Sequence, residues 1–431
     1  MTLEATSPEM AERSNARWRS PARLLRRVFT KRWAPFAALA LLSILSLGAR
    51  VPWVFDSRTQ SPVFDEVYYV NAARVILGHP AQPPYSQATP RKDPNEEHPP
   101  LAKILIAGSI WALGDRPLGW RVPSLAFGTA AILAMFWLVR SAGGSEWLAV
   151  GSSAILVADN LFLVHSGIAT LDIFVVFFML VGAALYLSDH PIAAGVAIGV
   201  GACTKTVSLY LILVLLLYEI LAFRGRPRAN HDDGPGARIG RLAGCTACTV
   251  TSYLGLLWIL DRMVSTFKDP VSHTSYMVGY HTRILDPNLG GPGITSSPWQ
   301  WLFNQRPIPY YTLVKTVGNG QRRYAVFFLG KISPFVIWLA VPAFVLAAIA
   351  AWRQRDRLSM VVVAWCVGTY VPFVVLGRQH ISYLYYMLSV LPGIYIGVAR
   401  LFSGRYLPKA FTVVYALALL YGFQEFYPLK A

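Results

Sequence analysis

Long apolar stretches alternate with short polar blocks along nearly the whole chain, and the stretches have the length of membrane-crossing helices. They fall at about 34–54, 121–140, 146–164, 170–188, 191–204, 206–223, 241–261, 325–352, 358–377, 381–400 and 408–425. A spanning helix needs about 20 mostly apolar residues, and the pair 191–204 and 206–223 lies at the short end of that range. The segment 100–114 is also apolar, but it is short for a span. Lys and Arg concentrate on the cytoplasmic side of membrane proteins. If 100–114 lies flat on the outer surface, Arg140, the Arg224–Arg241 loop, Arg353–Arg357 and Arg400–Lys409 all become cytoplasmic. If it crosses, most of those blocks move outside. The pattern therefore predicts an all-α polytopic membrane protein of about 11 transmembrane helices, with a cytoplasmic N-terminus and an outer C-terminus.

This topology divides the chain into a basic cytoplasmic tail (1–33), one transmembrane domain (34–425) and an outer tail (426–431). Two long outer loops, 55–120 and 262–324, emerge with it, and interfacial helices are expected within them. Six of the eight histidines (His79, His98, His165, His273, His281 and His380) land at the outer face, as do Asp65, Glu66, Glu96 and Glu97. The cytoplasmic loops are short and basic, so functional chemistry is expected outside.

Composition sharpens the class. With 55% hydrophobic and 14% charged residues, a soluble globular domain is excluded. The net charge of +17 sits in short blocks between apolar stretches, the positive-inside pattern rather than a nucleic-acid surface. All four cysteines, Cys203, Cys245, Cys248 and Cys366, fall inside predicted spans. Cys245 and Cys248 have the spacing of a redox or zinc pair, but no second pair accompanies them, so they read as buried apolar side chains. The basic N-terminus followed by Ala34–Leu47 reads as an uncleaved first span, because no small-residue cleavage site precedes Arg50.

The first outer loop carries two pairs of adjacent acids, Asp65-Glu66 and Glu96-Glu97, the second followed by His98-Pro99-Pro100. Pro62 and Asp65 open a predicted helix over 66–77 that stops at Gly78, and the Pro-Pro turn starts another at Leu101. Asp65 and Glu66 suit an N-cap and a first-turn acid. They equally suit a rim where a carboxylate takes a proton from an acceptor hydroxyl. The second outer loop, with Ser297-Pro298-Trp299-Gln300-Trp301 and Arg306-Pro307-Ile308-Pro309-Tyr310-Tyr311, reads either as an ordered surface loop with aromatic anchors or as a lid over an anionic substrate. Arg306 matches a phosphate through its planar fork. Lys205 either snorkels or binds. Arg378 and His380 precede Ser382-Tyr383-Leu384-Tyr385-Tyr386 at the outer mouth. Asp172 begins a span, where an acid is costly unless paired. No His-x3-His or similar spacing marks a metal site.

Taken in chain order, these motifs resemble the protein O-mannosyltransferase family. They are Phe-Asp-Glu-Val (64–67), His-Pro-Pro-Leu (98–101), Gly-Trp-Arg-Val-Pro-Ser (119–124) and Thr-Lys-Thr (204–206). The Trp and Arg-Pro-Ile-Pro-Tyr-Tyr motifs within 297–311, and Arg-Gln-His-Ile-Ser-Tyr-Leu-Tyr-Tyr (378–386), complete the set. The resemblance covers nearly the whole chain and implies a GT-C glycosyltransferase architecture. It implies inverting transfer of mannose from a polyprenyl-phosphate donor to a Ser or Thr hydroxyl of a secreted or membrane protein, without cofactor or obligatory metal. By motif position, Asp65 would be the general base, with Glu66, its neighbour in the catalytic pair, helping to position acceptor or donor. Arg306, Lys205 and Arg378 would hold the donor phosphate, and Glu97, His98, Tyr310, His380 and Tyr383 complete the substrate-binding set. The chain departs from the family in having His165 through Asp172 where an arginine commonly precedes Leu-Asp. It also has Tyr68 where many members have His, and it lacks a large luminal domain, as a prokaryotic member would. A GT-C transferase acting on a lipid or envelope glycan is the alternative. A secondary transporter fits less well, because the ionisable residues cluster at the interface and no inverted repeat is visible.

Overall fold

The computed structural model of the chain describes residues 31–223, 234–283, 294–316, 318, 320, 322–376, 381–403 and 407–429. Helices dominate. In chain order they are α1 (Ala34–Arg50), α2 (Glu66–Ile76), α3 (Leu101–Leu113), α4 (Pro117–Ser141), α5 (Glu146–Ala158) and α6 (Asn160–His165). Next come α7 (Asp172–Leu187), α8 (Pro191–Ala202), α9 (Tyr210–Phe223), α10 (Pro235–Val264) and α11 (Pro270–Arg283). An antiparallel hairpin, β1 (Ile308–Thr316) and β2 (Arg322–Gly330), follows. Then come α12 (Ala340–Gln354), α13 (Arg357–Leu376), α14 (Leu391–Leu401) and α15 (Lys409–Phe426).

Six stretches are long and apolar enough to cross a bilayer: Ala34–Phe55, Pro117–Ser141, Thr206–Phe223, Pro235–Val264, Pro334–Gln354 and Arg357–Leu376. The other stretches read as spans contain shorter apolar helices, Glu146–Ala158, Asp172–Leu187, Pro191–Ala202, Leu391–Leu401 and Ala410–Phe426. The segment read as lying flat, Leu101–Leu113, is likewise a short apolar helix.

Three expected spans differ from the structure, each for a local reason. The stretch 146–164 breaks at Asp159, whose Oδ1 accepts the backbone N–H of Leu161 and Phe162 at 2.9 and 3.2 Å while Oδ2 accepts that of Ser333 at 2.9 Å. A cap inside the apolar run thus starts a second helix and ties it to the turn after β2. The stretch 325–352 begins as a strand, not a helix, because the aromatic and β-branched run at its start pairs with β1. In 381–400, the Leu384–Ser389 segment is a 3-10 turn, and the α-helix begins only at Leu391, with Pro392 in its first turn.

The close contact of α8 with α10 rests on glycine. A Cβ on Gly195 would lie 2.3 Å from the Cys245 carbonyl oxygen, and one on Gly199 would lie 2.0 Å from Ser252 Oγ and 2.7 Å from the Thr249 carbonyl. Small residues four apart let two backbones touch, the usual way helices associate without a hydrophobic drive. Cys245 is buried in this seam, which is the packing role its sequence context predicts. Gly199→Leu is therefore expected to destabilise the protein by about 1–3 kcal/mol through overpacking. Gly48→Ala, with nothing within 4 Å of its Cβ, should leave thermal unfolding in detergent unchanged. Equal melting of the two variants would remove the glycine seam as the reason for the contact.

Candidate active site

The adjacent acids of the first outer loop face opposite ways. Glu66, the first residue of α2, is fully buried. Its two oxygens take a bidentate pair of bonds from Arg121 Nε and Nη2, each 2.8 Å, and the backbone N–H groups of Val63 and Ala169, each 2.7 Å. Arg121, also fully buried, spends its remaining donors on the carbonyls of Trp53, Thr59 and Ser61. Four segments of chain meet at this pair. With no exposed surface, Glu66 braces these segments against Arg121.

Asp65 stands at the N-cap position of the same helix without a side-chain capping bond and is only half-buried. It faces Lys205 and Asp172, and the Tyr385 hydroxyl donates to its carboxylate. Burial pushes its carboxyl up to about 7; the Lys205 charge pulls it down, the Asp172 charge raises it, and the Tyr385 bond lowers it.

Lys205 is buried and bonds Asp172 Oδ1 at 2.7 Å, which supplies the partner that an acid at the start of a span requires. Its ammonium also lies 5.4 and 5.5 Å from the ring centres of Tyr385 and Tyr386. One donor goes to Asp172, and an ammonium has three. Beside it lies a cavity with room for about one water, lined by Asp172, Val176, Val207, Phe373, Tyr386 and Leu388.

The backbone that carries Asp65 is strained. Phe64 has φ +52°, in the left-handed region that a bulky side chain rarely adopts. Its ring stacks on Tyr310 at 4.0 Å and 13° and meets Tyr385 edge-on at 5.6 Å. Tyr310, the third residue of β1, is buried, and its hydroxyl lies 2.8 Å from His165 Nε2. Tyr383 stacks on Tyr385 at 5.4 Å and remains partly exposed at the mouth.

Glu96 and Glu97 divide their work as well. Glu96 accepts from the Ser265 and Thr266 hydroxyls at 2.7 Å, a latch between the two outer loops. The His273 ring adds to it, with Nε2 2.8 Å from the Glu96 carbonyl and Nδ1 2.7 Å from Asp261. Glu97 is half-buried beside Asn95, and burial raises its carboxyl above the usual range. His98 packs its ring 6.1 Å from Tyr69, and its carbonyl accepts from the buried Lys103 at 2.9 Å. Lys103 also pairs with Asp93 and bonds the Asn95 carbonyl, so one ammonium holds the whole turn.

The structure thus brings Asp65, Lys205, Tyr310 and Tyr383 together, with Glu97 and His98 on the neighbouring turn. Arg306 is exposed and donates to the Thr295 carbonyl at 3.3 Å, at the rim rather than beside Asp65. Arg378 and His380 lie outside the described residues. Sequence reasoning assigned no role to Arg121, Thr170 or Tyr385. The only signals for them were their places within or beside motifs already singled out.

Comparison with known proteins places the fold. The family model described as dolichyl-phosphate-mannose-protein mannosyltransferase matches residues 116–226. The chain is 25% identical to a polyprenol-phosphate-mannose–protein mannosyltransferase of Corynebacterium glutamicum, covering 85% of this chain and 81% of that one. It is 23% identical to the protein of the same description from Mycobacterium tuberculosis, covering 85% and 80%. Among solved structures, it is similar to the S. cerevisiae protein O-mannosyltransferase Pmt1-Pmt2 complex bound to the sugar donor. That match has a TM-score of 0.69 and 14% identity, over 91% of this chain and 90% of that one. ArnT from Cupriavidus metallidurans bound to undecaprenyl phosphate matches with a TM-score of 0.56 and 18% identity, over 87% and 61%. The fold is therefore that of the GT-C glycosyltransferases.

Proposed function

We propose that this chain, a membrane glycosyltransferase that groups with the protein O-mannosyltransferases, moves mannose from a polyprenyl-phosphate carrier to Ser or Thr hydroxyls of exported proteins at the outer face of the membrane. The observation that carries the chemistry is the separation of the two acids. Asp65 alone of the pair keeps exposed surface, its carboxyl raised to about 7 by burial and set opposite a buried lysine. Transfer to a hydroxyl needs a base on the acceptor and a cation on the departing phosphate. Asp65 is the base in this reading. Lys205 takes the phosphate with the donors that Asp172 leaves free. Tyr383 lines the mouth, Glu97 and His98 shape the acceptor side, and Arg306 reaches the donor from the rim. Because the leaving group is already a phosphate, no step calls for a cofactor.

This assignment fixes a pH dependence. A general base works only when ionised, so kcat/KM should rise with pH through about 7 and level above it. A limb centred below 5, where an ordinary carboxylate titrates, would contradict Asp65 as the base.

The direct test incubates purified protein with labelled polyprenyl-phosphate-mannose and a Thr/Pro-rich peptide. Label in the peptide supports the reading. A labelled lipid-soluble product with none in the peptide moves the acceptor to a lipid.

A further inference from the structure

We infer that His165 and Tyr310 are positioning residues, a buried strut that holds the strained Phe64 backbone and so aims Asp65 at the acceptor hydroxyl. The inference rests on the reading of Asp65 as the base.

The strut can be traced atom by atom. His165 is fully buried at the end of α6, its Nδ1 3.0 Å from Thr170 Oγ1 and its Nε2 2.8 Å from the Tyr310 hydroxyl. The Asp172 carboxylate lies 3.9 Å from Nδ1 and favours a proton there. A neutral ring with its proton on Nδ1 donates to Thr170 and accepts from Tyr310 through Nε2, which satisfies both contacts. The Tyr310 ring, fixed by that bond, lies flat against Phe64.

A left-handed backbone at a phenylalanine persists only where its surroundings over-determine it. The surroundings here are the Tyr310 face, the Tyr385 edge and the Glu66–Arg121 pair one residue beyond Asp65. The first of these comes from the second outer loop, through β1. Neither His165 nor the Tyr310 hydroxyl is left free for a ligand, so their part in the reaction runs through Asp65. Tyr310 is therefore a support and not a contact of the sugar.

The test uses full-length protein with the labelled donor and the Thr-containing peptide. Tyr310→Phe removes one oxygen and keeps the stacked ring; His165→Phe removes both ring hydrogen bonds. Each is expected to lower kcat by about 10- to 100-fold, the scale of an ångström-sized misplacement of reacting groups. The KM for donor should stay within about twofold. The double variant should be no worse than the poorer single, because the two residues act as a unit. His165→Gln, whose amide oxygen accepts from Tyr310, should recover most of the rate. With the aim of Asp65 released toward water, the acid limb of the pH profile should move below that of the wild type, while Lys205, Asp172 and Tyr385 still face the carboxylate. Thermal unfolding in detergent reports whether each variant is folded.

Two results overturn the strut: an unchanged kcat in folded Tyr310→Phe, or a change in KM alone, which would make Tyr310 a substrate contact. Wild-type protein that transfers nothing to the peptide would instead sink the proposed function, a separate outcome.

Discussion

Asp65→Asn is expected to lower transfer to a Thr-containing peptide by about 10²- to 10⁴-fold, the range a positioned general base supplies. Substrate binding should survive, since asparagine keeps the size of the side chain and its hydrogen bond from Tyr385. The fold should survive too, and the sign can be worked out. Burial raises the folded-state pKa of Asp65 to about 7 from the ordinary 3.8. The native state therefore holds this proton more tightly than the unfolded chain, and stability falls as pH climbs between those two values. A neutral amide removes that penalty, so at pH 8 the variant should melt no lower than the wild type. Lost activity in an intact protein, measured as label in the peptide beside a thermal scan, is the expected pair of results. Undiminished transfer would disprove the assignment of Asp65.

Glu66→Gln and Arg121→Gln should fail for the opposite reason, through the fold. Each leaves one fully buried charge without its partner, which costs about 3–5 kcal/mol. Glutamine at 66 retains an acceptor for Val63 or Ala169 but not the doubled bond to the guanidinium. The two single variants should resemble one another, with a lower melting temperature and poor recovery from the membrane. A Glu66→Leu/Arg121→Leu double variant, with no charge to strand, should be less damaged than either single. If Glu66→Gln melts like the wild type but loses transfer, the bracing role is wrong and Glu66 acts on substrate.

Much of this was legible in the chain itself. The helix over 66–76, its stop near Gly78 and the apolar helix from Leu101 follow from capping and turn residues. Asp172 declared that it needed a partner, because an acid at the start of a span is costly alone. It could not say which partner, and Lys205 lies 33 residues on. The division between Asp65 and Glu66 was not legible at all. Neighbours at a helix start differ by about 100° in direction, and only the place of Arg121 decides which one turns inward. The β-hairpin was hidden because the apolar run of β2 merges into the following helix. A short apolar stretch does not distinguish strand from buried helix by periodicity. The apolar helices were readable because each is a continuous hydrophobic run, whereas the strut from His165 to Phe64 depends on contacts 145 residues apart.

The latch between the outer loops also sets the order in which the protein can be made. The turn that carries Glu96 and Glu97 is held by Leu101 N–H donating to the Cys203 carbonyl, by Asp93 N–H donating to Val264, and by Glu96 gripping Ser265 and Thr266. Those partners are synthesised more than a hundred residues after it. At the usual pace of about 5–20 residues per second, the acid-bearing loop waits on the order of ten seconds or more for residues that complete it. The segment made early is finished late, so the nascent chain holds these carboxylates in an unassembled state until much of the helical frame around them has been made.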